Sequence, residues 1–437
     1  MANKRLYDAI VVGAGLAGLS AAYQLSVAGR STLVLEADKH IGGRILTKRI
    51  AGTTIEQGAQ WISSSHLQFI ELSMSLGLEL EQHEYPGSHR FALQGVVNEF
   101  DGTLPKLSLA DRFTIGRLAK NLDKATRRID REKPWLSPQA NELDQLRFSQ
   151  YLKNNLFNKR HYNVIKTVLE GHFLNGIDQI SALQGIMEWQ EKDNEKWQIL
   201  GGADQLPRKL AQEVDVLLGQ KVKQVNKDGS FAKVECGDHS YRARHVIVAL
   251  PPAQAAEISY DPPISTTKKS MWDSIKPGRI IKSTLVFPSP FWRSASWSGK
   301  AFIAGEGPFQ LLIDAGTSRD VHGIISTYTI GTNCLTFEKL QDDEKKQFIL
   351  ELVQSILKCG PDELPLFSSM YDWKCPPNGY GAYHIFPPGI LTGFEDHLVR
   401  PEGVIHWASA EYDPIYRGTM EGAVRSGLRA AGEILSL

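Results

Sequence analysis

The chain has 437 residues, 42% of them hydrophobic, and 38 glycines, which is too long for one ordinary core and suits a globular α/β protein of two domains. Lys plus Arg and Asp plus Glu each total 49, so the net charge is zero and nothing implies a nucleic-acid or acidic-membrane partner, which would need a basic excess. Cys236, Cys334, Cys359 and Cys375 are scattered without a C-x-x-C pair, which favours reduced thiols in a cytoplasmic protein over a disulfide framework or a zinc site.

Lys4 and Arg5 precede an apolar run, but Asp8 and the early glycines interrupt it, so it reads as a first strand and not as a signal peptide. Ala9-Ile10-Val11-Val12 has the character of a buried parallel strand. The turn Gly13-Ala14-Gly15-Leu16-Ala17-Gly18 follows, then a predicted helix over 16–28 closed by Gly29, then a strand over 32–35 ending in Glu36. This is one βαβ unit. The amphipathic stretches 107–133 and 145–170 predict a helical region between about 80 and 200. Gly201-Gly202-Ala203-Asp204-Gln205-Leu206 predicts a turn entering a helix. Strands are predicted over 222–225, 231–236 and 246–250, the last stopped by Pro251-Pro252. Between 273 and 376 strand-like runs at 283–287 and 324–329 accompany one helical stretch, 342–357. There are no repeats and no low-complexity linker. No run of about 18 apolar residues exists to span a bilayer, and a helix-like segment over 422–435 ends the chain, so a protein without a membrane anchor is expected.

A glycine turn between a strand and a helix lets backbone N–H groups and the positive helix end face a pyrophosphate. Gly13 permits the turn, Gly15 the approach of phosphate and Gly18 close helix packing. Glu36, about 20 residues on, suits ribose hydroxyls and repels a 2′-phosphate. Gly42-Gly43-Arg44 adds a close backbone approach and a guanidinium fork for diphosphate.

Together these blocks resemble the two-dinucleotide signature of the flavin-dependent amine oxidases. Glu56-Gln57-Gly58-Ala59-Gln60-Trp61 resembles the family segment that lines the flavin ring, and Val222 falls where its backbone contacts adenine. Trp407-Ala408-Ser409-Ala410-Glu411 resembles the family's F-A-G-x-E, whose glutamate contacts the diphosphate–ribityl part, with Ser409 in place of the usual glycine. Thr419-Met420-Glu421-Gly422 resembles the helix start whose N–H groups point at the flavin pyrimidine. The implied cofactor is FAD. The implied fold is α/β: a Rossmann-like FAD-binding domain of the amine oxidase type, assembled from residues 1–80, 199–272 and 377–437. A mixed α+β substrate domain takes 81–198 and 273–376.

Ile281-Lys282-Ser283, followed by Phe287-Pro288-Ser289-Pro290-Phe291-Trp292-Arg293, resembles the monoamine oxidase segment whose lysine holds a water at flavin N5. Tyr383 falls where the family places one wall of an aromatic cage, and Thr419 aligns with the opposite wall, a tyrosine in animal monoamine oxidases. The resemblance thus makes Lys282, Tyr383 and Thr419 the catalytic candidates, with Tyr416 a candidate to compensate for a half-open cage. Ala382 replaces the cysteine that is joined to flavin in those enzymes, so non-covalent FAD is implied. Gly58-Ala59-Gln60-Trp61 lacks the arginine with which L-amino-acid oxidases clamp a carboxylate, and Arg90 is a candidate substitute.

The implied activity is that of a monoamine oxidase-like enzyme: hydride passes from the carbon α to an amine to the flavin, the imine hydrolyses, and dioxygen becomes hydrogen peroxide. The expected partners are a small-molecule amine and either dioxygen or an electron-carrier protein; no nucleic acid is expected, and a homodimer is compatible. The rival readings are an L-amino-acid oxidase, a flavin desaturase or protoporphyrinogen-type oxidase acting on C–C bonds, and a non-catalytic flavoprotein scaffold.

Overall fold

The structure is a computed structural model that describes residues 2–437 except 84–86, 94–95, 102–108, 157, 175, 190–194, 305–308, 361–362 and 375–380. Cys375, the first residues of the stretch 107–133 and residue 157 of the stretch 145–170 lie outside the described residues.

The first strand, Ala2–Val12, runs parallel to Thr32–Leu35 on one side and to His239–Val248 on the other. Asp215–Leu217 and Ile405–Trp407 add further parallel pairings. Gln224–Asp228 and Phe231–Cys236 form an antiparallel hairpin against His239–Val248, completing an eight-stranded sheet with Ser259–Asp261. The last four residues of the first strand, 9–12, are all apolar because both faces are covered there: Ala9 and Val11 enter one core cluster, Ile10 and Val12 another.

The helix Leu16–Val27 crosses the C-terminal helix Met420–Leu435 on one face of this sheet, so the two chain ends meet. The crossing is close. A Cβ at Gly427 would lie 2.2 Å from the Ala17 carbonyl oxygen.

A second sheet has seven strands in the order Phe367–Trp373, Ile280–Phe287, Gly323–Ile330, Phe309–Asp314, Trp297–Ala304, Ser88–Leu93 and Val96–Phe100. Every residue of Ile280–Phe287 is buried. One face packs against Asn333–Glu338 and Asp342–Leu357 around Phe287, Trp292 and Ile349. The other carries Ile280, Phe302 and Tyr328, with Trp61 and Tyr383 packed against them, and meets the helix Lys159–Phe173.

The βαβ unit and the strand 231–236 lie as expected. The helix 342–357 also has the expected bounds, with Gln341 and Glu344 forming a capping box and three acidic residues in the first turn. The predicted strand 222–225 is displaced to Gln224–Asp228. The expectation of a helical region from 80 to 200 needs correction at its edges. Ser88–Leu93 and Val96–Phe100 pair antiparallel on the second sheet, and Glu195–Ile199 joins Leu80–Gln82 and Ile62–Ser63 in a small one. Pairing with distant strands decides these short segments, and local periodicity is too brief to announce it. Helices occupy the middle: Leu109–Thr126, Ala140–Gln145, Phe148–Asn155, Lys159–Phe173 and Ala182–Trp189.

Gly427→Ala is expected to cost about 1–3 kcal/mol by overpacking the helix crossing. Denaturant unfolding checks this, and an unchanged midpoint contradicts the close approach.

Candidate active site

The glycine turn closes on itself. Gly13 has φ +103°, a Cβ there would lie 2.9 Å from the Ala249 carbonyl oxygen, and one at Gly18 would lie 2.0 Å from the Gly13 oxygen. Gly15 differs: the nearest atom to its Cβ position is the Gly43 Cα, 4.0 Å away. Two facing glycines thus bound a gap that side chains would fill. The helix Leu16–Val27 opens on it with no side-chain cap and no acidic residue in its first turn, leaving its N–H groups for an anion. Glu36 is buried beside the turn, its carboxylate accepting from Ala14 N at 2.6 Å and Asp38 N at 2.8 Å. Val222 lies nearby in sequence to Gln220, whose N–H donates to the Glu36 carbonyl, but its side chain belongs to the core.

Arg44 and Glu411 join the two ends of the chain. Both Nη atoms of Arg44 donate to the Glu411 carboxylate, at 2.6 and 2.9 Å, and Nη1 also donates to the Ala382 carbonyl at 2.6 Å. His384 Nδ1 lies 2.9 Å from the same carboxylate, and Ser409 Oγ donates to it. Burial alone would raise the Glu411 carboxyl, but the Arg44 charge and the His384 contact hold it well below the usual carboxylate range. The expected roles of the two residues therefore change. Arg44 is already paired, which leaves its remaining N–H donors but no uncompensated charge, while Ser409 Oγ donates to Glu411. His384 Nε2 is buried without a partner among the described residues.

The Arg44 backbone carbonyl accepts from Ala59 N at 3.1 Å, and a Cβ at Gly58 would lie 2.2 Å from it, so the segment 58–61 is held against Arg44. Lys282, 3% exposed, donates from Nζ to the Gly58 carbonyl at 3.2 Å and to Gln60 Oε1, and stands 5.4 Å from the Tyr328 ring. Burial pushes the Lys282 amine down to about 7, against the opposing pull of the Glu56 carboxylate. Burial likewise pushes Glu56 up, although Ala203 N and Thr47 Oγ1 donate to it. Trp61 meets His83 edge-on and packs on the same sheet face as Tyr383. A small crevice lined by Leu174, Gln179, Gly278, Ile280 and Gly331 reaches Tyr383.

Three expectations need correction. Thr419 is the N-cap of Met420–Leu435: its Oγ1 accepts from Gly422 N at 3.1 Å and donates to the Tyr416 carbonyl at 2.7 Å, so its hydroxyl is occupied. The residue against the Tyr383 ring is Gly418, where a Cβ would lie 3.0 Å from Cδ1. Tyr416 donates to the Ser65 carbonyl and is flanked by Arg131, Arg425 and His66, which removes it as a cage wall. Arg90 lies on the other face of its strand from Phe91, under the Ile356 carbonyl and the Trp297 ring, away from Tyr383. Met420 is buried in the core and offers only its backbone at the helix start.

The family model for flavin containing amine oxidoreductases matches residues 16–435. This chain belongs to the flavin-containing amine oxidoreductases. A Mycobacterium tuberculosis protein provisionally named flavin-containing monoamine oxidase AofH is 30% identical, over 98% of this chain and 97% of its own. An L-amino acid dehydrogenase of Synechocystis sp. is 28% identical over 100% and 96%. A putrescine oxidase structure bound to putrescine superposes with a TM-score of 0.92 at 29% identity, covering 99% of this chain and 100% of that one.

This amine oxidoreductase is therefore an enzyme with a flavin cofactor. The residues present fit one: a glycine gap at a helix N-terminus, a glutamate at the second strand's end, spare Arg44 donors and the orphan His384 nitrogen. Among the described residues there is no cluster able to hold a metal and no helix long and apolar enough to cross a membrane. Sequence reasoning missed His384 and Gln198. His384 follows Tyr383 directly, and only the fold shows which carboxylate it meets.

Glu411→Gln leaves the buried Arg44 charge uncompensated and is expected to cost about 3–5 kcal/mol. Because the folded carboxyl is depressed, the contribution is complete above about pH 4.3 and is lost as pH falls towards the folded value. The stability gap between wild type and Glu411→Gln should narrow in acid; a gap that is constant between pH 7 and pH 3 contradicts the pairing.

Proposed function

We propose that the enzyme is an FAD-dependent oxidase of amines that lack an α-carboxylate. The observation that carries this reading is the buried Lys282, fixed by Gly58 and Gln60 on the sheet face that also bears Trp61 and Tyr383. FAD, when bound, takes a hydride from the carbon bearing the amine and passes the electrons to dioxygen, giving hydrogen peroxide. The substrate imine then hydrolyses to a carbonyl compound plus ammonia or a smaller amine.

The adenosine end of FAD is assigned to Gly13, Gly15, Gly18, Glu36 and the Val222 backbone, the diphosphate–ribityl part to Gly43, Arg44 and Glu411. The ring is assigned to the segment Gly58, Ala59, Gln60, Trp61 and to the helix start at Thr419 and Met420. Ala382 offers only a methyl group, which supports a cofactor held without a covalent bond. The eight-stranded sheet draws its strands from within 1–80, 199–272 and 377–437, and the seven-stranded sheet from within 81–198 and 273–376, which supports that division into cofactor and substrate domains.

Tyr383 and the apolar residues around it orient the substrate nitrogen. Their low polarity favours the neutral amine, the form able to give up hydride. Lys282 holds or moves a proton at the reacting edge. The turn of Arg90 to the far face leaves that candidate carboxylate clamp out of the site, which supports a simple amine. Among the described residues Cys236, Cys334 and Cys359 form no disulfide, in keeping with a cytoplasmic enzyme. The Synechocystis relative's name favours a second reading, oxidation of an L-amino acid with an acceptor other than dioxygen.

Anaerobic reduction of the bound flavin over paired substrates, which needs no acceptor, separates them, with peroxide release on admitting air reading the acceptor: aryl-alkyl amines should reduce the flavin faster than their parent amino acids, and the reverse preference rejects the first reading. Lys282→Met should lower the rate of amine oxidation or of flavin reoxidation by about 10²-fold; unchanged rates remove Lys282 from the reaction. Acid precipitation should release FAD into the supernatant, and colour retained in the pellet contradicts non-covalent binding.

A further inference from the structure

Lys282 is held from behind by two stacked amides. Its Nζ donates to Gln60 Oε1, and Gln60 Nε2 in turn donates to Gln198 Oε1 at 3.3 Å. Both glutamines are buried, Gln60 at 3% and Gln198 at 4% exposure. Gln198 reaches the site from the strand Glu195–Ile199, which pairs with Ile62–Ser63 just after Gln60. The neighbouring Trp197 packs instead into the core beneath the first sheet, so strand alternation turns Gln198 towards Gln60.

The order of these bonds is dictated from one end. A lysine ammonium only donates, so Gln60 must present its oxygen to it. The Gln60 NH₂ group then faces Gln198, which must present its own oxygen. That leaves Gln198 Nε2 buried with no partner among the described residues. An unmet buried donor is costly, and the arrangement that retains it is the one imposed by Lys282. The Gly58 carbonyl supplies a second acceptor from the backbone. Two fixed acceptors leave one direction of the Nζ tetrahedron free: a donor when Lys282 is charged, a lone pair when it is neutral.

We propose that Gln60, braced by Gln198, is a positioning element for Lys282 that fixes the direction in which its Nζ meets the reacting edge of the flavin. This rests on the reading that Lys282 serves the amine reaction. Gln60 then acts through Lys282 in addition to lining the ring.

Few other groups act on Lys282. Tyr328 and Tyr371 are its register partners on the two neighbouring strands. Asp372 is bound to Arg279, which also pairs with Glu338. Glu56 is the carboxylate that favours the charged amine, and it feels Asp204 in turn, which is paired with Arg49 and Arg208. Against this background a change at Gln60 has a predictable sign. Gln60→Glu places a second negative charge beside the ammonium and raises its proton affinity; Gln60→Met removes an acceptor from the ammonium and lowers it.

The test is the pH dependence of kcat/KM for amine oxidation by the flavin-loaded enzyme, with flavin content and absorbance recorded for each variant. The ionisation near neutrality should move up by about one pH unit in Gln60→Glu and down by about one in Gln60→Met. Gln198→Leu, which does not touch Lys282, should give a smaller shift in the direction of Gln60→Met, with kcat affected more than KM. If Gln60→Met does not fold, Gln60→Glu and Gln198→Leu carry the comparison. In a Lys282→Met background the Gln60 substitutions should leave the profile unmoved. Wild-type profiles, or shifts of the same sign in the two Gln60 variants, overturn the positioning role while Lys282→Met remains impaired. If Lys282→Met itself keeps wild-type rates, the functional reading of Lys282 falls as well, and the two failures are told apart.

Discussion

One buried ion pair sets the geometry of this enzyme. Arg44 and Glu411 are 367 positions apart in the chain, yet both Nη atoms of the guanidinium meet the carboxylate. Two charges taken out of water are held only where the pairing is well formed and the remaining acceptors are satisfied. His384 and Ser409 provide those further contacts, so the carboxylate is fully engaged. The same residue reaches both parts of the reacting face. The Arg44 side chain holds the Ala382 carbonyl, one residue before Tyr383, and its backbone carbonyl holds Ala59 N, one residue before Gln60. Gln60 then meets Lys282. A small displacement of Arg44 would therefore be felt at Tyr383 and at Lys282 together.

The two sheets divide the labour. The first brings the glycine turn, Glu36 and the C-terminal helix to one edge, and it does so with small residues at the points of closest approach. The second is a mostly antiparallel platform whose buried strand Ile280–Phe287 sends Lys282 to one face and core residues such as Ile281 and Leu285 to the other. That alternation decides chemistry as well as packing. Arg90 is turned by its strand to the face away from Tyr383, where it meets Trp297 and the Ile356 carbonyl.

Much of this was legible in the sequence where the signal is local. The first strand, the glycine turn and the strand ending in Glu36 declare themselves within 30 residues, because each requirement of the turn falls on one chain segment. Likewise the helix 342–357 is announced by its acidic first turn and its cap. What stayed hidden depends on contacts between distant segments. No spacing reveals that His384 faces Glu411, or that Gln198 backs Gln60, since the first depends on how two distant segments meet and the second on strand register. The strands Ser88–Leu93 and Val96–Phe100 are stabilised by their sheet partners and not by their own pattern. Thr419 is a different case. A threonine directly before a helix start is a common cap, and alignment with an aromatic position in relatives obscured that local meaning.

The central claim is that the chain's two ends hold one flavin ring with Lys282 at its reacting edge and Tyr383 beside it, around an intact Arg44–Glu411 pair. A crystal structure of the FAD-loaded enzyme with a bound amine tests it most directly. The account predicts the amine between the ring and Tyr383, Lys282 Nζ pointing at the ring edge, and Arg44 still bidentate to Glu411. A ring seated away from Lys282 and Tyr383, or an Arg44 that leaves Glu411 to bind the cofactor alone, would contradict it.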